Sequence, residues 1–145
     1  MLSRSKFPAL ALLVVGIFLC IGAMQAQEKS AKVLTKGEFH KAEKAGSGTA
    51  TIYQLADGKR VLRLTGFAVD NGPDLHVRLI AADDAKDTAS VAKTDHVELG
   101  KLKGNKGDQN YDVPADVDLG KDKVVSIWCN RFSVNFAAAP LTLTK

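Results

Sequence analysis

Cysteine is scarce in this chain, with only Cys20 and Cys129 among 145 residues. That excludes the small disulfide-rich scaffolds, whose stability rests on several bridges. Charge of one sign is also lacking: 20 Lys and Arg stand against 16 Asp and Glu, for a formal net charge of +4. The basic residues are scattered among acids, so no patch argues for nucleic acid or an anionic membrane surface. Nor is there a serine elbow, a phosphate loop or a dinucleotide-binding glycine pattern. His40, His76 and His96 are far apart with no pair at ligand spacing, and spacing therefore supports no metal site. Asp108, Asn110 and Asp112 imitate the start of a calcium loop. The pattern then fails, with Val113 in place of the turn glycine and Leu119 in place of the bidentate glutamate.

What is present begins with a targeting segment. Arg4 and Lys6 precede an uncharged apolar run, Ala9 to Met24, which is closed by small residues. The run is shorter than the roughly 20 residues a membrane-spanning helix needs, and the basic–apolar–small order is that of a cleavable secretory signal. An uncleaved anchor is disfavoured by that length, and lipidation of Cys20 by the bulky Leu19 before it. Residues 1–26 are read as the signal, with cleavage after Ala26. The chain is then exported, to the periplasm or the medium, with no stable membrane anchor after cleavage. Losing Arg4 and Lys6 lowers the net charge further, and losing Cys20 leaves Cys129 alone. An odd cysteine in an oxidising compartment is buried, reactive, bound to something or paired with another chain.

Residues 27–36 are expected to be a flexible leader, polar and charged at Gln27–Lys32, and residues 37–145 a single domain. Apolar residues there come in short bursts separated by Gly, Asp, Asn and Pro, which predicts an all-β domain, an antiparallel sandwich or barrel built from several hairpins. The best helix candidate is the short Ala81–Val91 stretch. Thr49–Leu55 and Lys59–Thr65 flank Ala56-Asp57-Gly58; a three-residue loop there pairs Ile52 with Leu62, Ala50 with Leu64 and Gln54 with Arg60. Leu75, Val77 and Leu79 alternate with His76 and Arg78, as in a half-buried strand with a polar outer face. Another strand is expected over His96–Leu102. Near the C-terminus, Val125, Ile127 and Cys129 share one parity, while Phe132, Val134 and Phe136 share the other. Either a bulge or a two-residue turn at Asn130-Arg131 reconciles them. The turn pairs Cys129 with Phe132 and places the thiol, partly exposed, beside the hairpin tip.

Several of these segments, taken in order, resemble the DM-thirteen domain: Phe67 with Asn71-Gly72-Pro73-Asp74-Leu75, Leu99 to Asn105, Gly107 to Tyr111, Pro114, and Val125 to Val134. The resemblance runs from about Gly37 to Leu141. It implies a small extracellular β-rich module with a role in electron transfer or redox chemistry centred on a characteristic cysteine, which Cys129 matches. A Cys–His metal or haem-iron site would require the fold to gather Cys129 with the histidines; spacing does not support one, and no cofactor is assigned. The implied partner is an extracytoplasmic redox protein or ligand.

Cys129 is thus the candidate redox thiol or cofactor ligand. A thiol becomes reactive where positive charge and some exposure stabilise its thiolate; Arg131 is two residues away, and any of the three histidines can approach in the fold. The competing readings are a non-enzymatic extracytoplasmic β-sandwich for binding or interaction, with Cys129 as a small hydrophobe in its core, and an intermolecular disulfide. Trp128, of opposite parity, either packs on a second layer or exposes its ring.

Overall fold

The computed structural model describes residues 31–145; the expected signal segment with Cys20, and the first residues of the expected leader, lie outside the described residues. The described chain is all-β, with strands β1 (Lys32–Glu38), β2 (His40–Lys41), β3 (Gly46–Gln54), β4 (Arg60–Val69), β5 (Leu75–Ile80), β6 (His96–Lys101), β7 (Gln109–Val113), β8 (Val124–Cys129), β9 (Val134–Pro140) and β10 (Thr142–Leu143). They form two five-stranded antiparallel sheets, ordered β10-β1-β3-β4-β7 and β2-β9-β8-β5-β6. The core lies between them, with Ile52, Leu62, Leu64 and Phe67 of the first sheet meeting Val77, Leu79, Val125, Ile127 and Phe136 of the second.

The leader ends earlier than expected. Lys32–Lys36 belong to β1, an interior strand held between β10 and β3. Their polar composition hides Leu34, packed against the core, and Thr35, which is buried.

The β3–β4 hairpin has the expected register, with Ala50 opposite Leu64, Ile52 opposite Leu62 and Gln54 opposite Arg60. Leu55 N–H donates to the Lys59 carbonyl, closing the three-residue loop, and Gly58 takes φ +86°. That left-handed conformation costs glycine least. Farther along the pair the register shifts between Ser47 and Thr49, where β4 carries one extra residue. The shift lets Phe67 and Val69 continue the inward face begun by Leu62 and Leu64.

Ala81–Val91 is not a helix. Asp84 Oδ1 accepts from Ala85 N–H at 2.7 Å and Asp87 Oδ1 from Ser90 N–H at 2.8 Å. Such local side-chain bonds compete with helical ones. Residues 81–95 instead cross the outer face of the second sheet as a strap. Ala85 and Val91 are buried there against Ile80, Val124, Trp128 and Ala138, forming a second, smaller core. Every residue of β8 is therefore buried, on one face by the sandwich and on the other by the strap.

Candidate functional site

Cys129 is the last residue of β8, with Leu75 opposite it on β5 and Val134 opposite it on β9. The expected pairing with Phe132 is not formed. The turn spans Asn130 to Ser133, with Ser133 at φ +52° and Phe132 exposed at its tip. The parity conflict is settled by a bulge: β8 and β9 shift register between Ile127 and Trp128, so Phe136 is an extra residue in β9. Phe136 and Ala137 both reach the sandwich core as a result.

This register removes the partial exposure expected of the thiol. Cys129 is 0% exposed and packs within the main hydrophobic core. Arg131 is exposed in the turn. None of the three histidines is hydrogen-bonded to Cys129 among the described residues. His40 is bound to Asp84, His96 begins β6 opposite Ile80, and His76 points to the outer face of β5. The burial also keeps the sulfur from a second chain's thiol while the fold is closed.

Three segments distant in sequence gather over the end of the sandwich that holds Cys129. Asn130 N–H donates to the Asp74 carbonyl at 2.9 Å, joining the β8–β9 turn to the Asn71–Asp74 turn. Leu102 N–H donates to the Leu75 carbonyl at 2.8 Å, bringing in the loop after β6. Asn105 Nδ2 donates to the Asp70 carbonyl at 3.2 Å, and Gln109 Nε2 to the Gly104 carbonyl at 2.9 Å. Tyr111 completes this end: its hydroxyl donates to Gln109 Oε1 and accepts from Lys103 N–H at 2.9 Å. Burial of the phenol pushes its pKa up, against the opposing Lys103 N–H bond. Gly72 is closely approached here: a Cβ at that position would lie 2.7 Å from Leu75 Cδ2 and 2.9 Å from Phe136 Cε2, so both side chains would have to shift to admit one. Between these loops lies an open recess of about 210 Å³, lined by Gly72, Pro73, Asp74, Leu75, Lys101, Leu102 and Asn105. Leu75 is thus both the wall of the recess and the cross-strand neighbour of Cys129.

The opposite face of the same sheet carries a polar network that the alternation of β5 only hinted at. His76, expected to face solvent freely, lies directly across from Trp128, and its side chain is only 13% exposed. Its Nε2 is 2.9 Å from Asp74 Oδ1, and its Nδ1 bonds Glu98. Arg78 donates to Glu98 Oε2 at 3.2 Å and to Asn130 Oδ1 at 2.8 Å, and its guanidinium stands 4.9 Å above the Trp128 ring. Trp128 therefore packs on the second layer and also receives a cation. The two carboxylates occupy opposite nitrogens of the imidazole and so do not converge on one point. Among the described residues no group of three His, Cys, Asp or Glu side chains is placed to hold a metal ion. Asp108 and Asn110 bind Arg63 at 3.3 Å each, and Asp108 also caps Gly66 N–H at 2.8 Å. Asn110 and Asp112 alternate along the outer face of β7.

Residues 38–141 match the model of a protein family described as electron transfer DM13. No match to the chain was found among curated proteins or among solved structures.

Proposed function

We propose, from the premise that the chain belongs to the electron transfer DM13 family, that it is an exported electron-transfer module centred on Cys129, as the redox thiol or as the ligand of a redox cofactor. Export rests on the basic, apolar and small-residue order of residues 1–26. The centring on Cys129 rests on one observation above all: the Asn71–Leu75, Leu102–Asn105 and Val125–Val134 segments converge on the end of the sandwich where this cysteine lies. After signal removal it is also the only thiol in the chain.

Complete burial fits an electron-transfer role better than thiol–disulfide exchange. Exchange needs a thiolate open to an attacking or attacked sulfur, and overoxidation follows exposure. A shielded sulfur is protected from both, and Leu75, which lines the recess, is the cross-strand neighbour of Cys129.

Film voltammetry of the native protein, with metal analysis and a visible spectrum of the same sample, tests the reading. A reversible couple that vanishes in Cys129→Ala is the expected result. A colourless, metal-free protein with no couple, and a thiol inert to reagents across pH until unfolding, would leave Cys129 as a packing residue of a binding domain.

A further inference from the structure

Residues 81–95 cover the outer face of β8 and β9, and two kinds of contact hold them there. Some are permanent. Asn135, fully buried, donates through Nδ2 to the carbonyls of Ala85 and Asp87 at 3.2 and 3.3 Å, and its own N–H donates to Thr88 Oγ1 at 3.0 Å. The other contact depends on protons. His40, on edge strand β2, places Nε2 2.7 Å from Asp84 Oδ1 of the strap, while its Nδ1 is 2.8 Å from the Lys41 carbonyl. A carbonyl only accepts, and so does an ionised carboxylate; both bonds exist together only when the ring carries two protons. A neutral ring keeps one of them and gives up the other.

We propose that residues 81–95 form a proton-controlled strap, latched by His40 and Asp84, that sets how tightly the Trp128 face of the domain is covered.

The charges facing the imidazole are Asp84 and, more weakly, Lys86, both on the strap; across the sheet, β9 presents the uncharged Ala138. Burial disfavours the imidazolium, but the Lys41 carbonyl and Asp84 together outweigh it and raise the His40 pKa. Burial likewise opposes ionisation of Asp84, yet His40, the Ala85 N–H and Lys86 bring its pKa below the ordinary carboxylate value. A raised histidine contributes stability that is whole below its unfolded value near 6.5 and is lost as pH rises through the folded value. A depressed aspartate contributes stability that is present above its unfolded value and is lost as pH falls through the folded one. The latch is therefore closed in the acidic-to-neutral window and slackens on the alkaline side. This inference does not depend on Cys129 carrying electrons.

Trp128 is the only tryptophan in the chain and lies beneath the strap, so its fluorescence reports on the cover directly. Acrylamide quenching of the native protein should rise across a single transition on the alkaline side of the ordinary histidine range. The protection factor of the Thr88 amide, which donates to Glu43 at 3.0 Å, should fall about two- to fivefold through the same transition, the worth of a part-exposed ion pair. Both responses should vanish in His40→Gln and in Asp84→Asn. A flat profile in the native protein would overturn the proposal. So would a transition that survives in both variants, or one abolished by His76→Gln while His40→Gln retains it.

Discussion

Ser126 Oγ donates to Asn135 Oδ1 at 2.8 Å, and both residues are fully buried on the outer face of the second sheet. This pair turns a polar sheet face into the seat of the strap, because it orients the Asn135 amide to donate to two strap carbonyls. Asn135→Ala leaves the Ser126 hydroxyl and those carbonyls short of partners. The expected loss is about 2–4 kcal/mol, against about 1 kcal/mol for Ser126→Ala, read as midpoint shifts in urea unfolding. The double variant should lose little more than Asn135→Ala alone; fully additive losses would show that Ser126 does not act through Asn135.

Ser133 is the only non-glycine residue at positive φ among the described residues. It closes the turn that the register of β9 demands, and its side chain makes the conformation costly. Ser133→Gly is expected to raise stability by about 0.5–1 kcal/mol, measured by thermal or urea unfolding.

At the recess, Gly72→Ala sets a methyl against Leu75 and Phe136 within van der Waals radii. Overpacking of this kind costs about 1–3 kcal/mol. Because Leu75 is opposite Cys129, the substitution should also shift the potential of any Cys129-dependent couple, whereas Gly58→Ala, which meets open space, should affect stability alone.

Asp122 is nearly buried, and burial raises its pKa, with Asp118 and Asp95 adding to the rise against Lys121. A carboxyl raised on folding supplies stability that is full below its unfolded value and is lost as pH climbs through the folded one. At neutral pH its charge works against the native state. Asp122→Asn should therefore unfold at higher urea than the parent at pH 7, with the difference shrinking towards pH 3.

The β3–β4 register was legible because Gly58 and the Ile52, Leu62, Ala50 and Leu64 pattern agree on one loop length. The β8–β9 register was not. Phe132, Val134 and Phe136 share a parity, but only the latter two serve the core, and the bulge that admits Phe136 is paid for by packing that sequence spacing does not record. The helix expected at Ala81–Val91 failed for a related reason: Asp84 and Asp87 bind their own backbone, and Asn135, some 50 positions away, claims the carbonyls a helix would use. The position of Cys129 as a candidate was readable from the chain; its burial depended on the shifted hairpin. Asp74 is two positions from His76, but the His76–Glu98 and His40–Asp84 pairs bring together residues 22 and 44 positions apart, which no spacing rule reaches.

The short pairing of β1 with β10 ties the two ends of the domain together, Thr35 to Leu143 and Lys36 to Thr142, and Thr144 reinforces it by donating to the carbonyls of Leu34 and Val33. Adjacent antiparallel ends meet a stretching force as a zipper does, one rung at a time. Tension applied through the termini would peel β10 away before it strained the sheet that holds Cys129, which makes the seam between the ends a mechanical fuse for the rest of the domain.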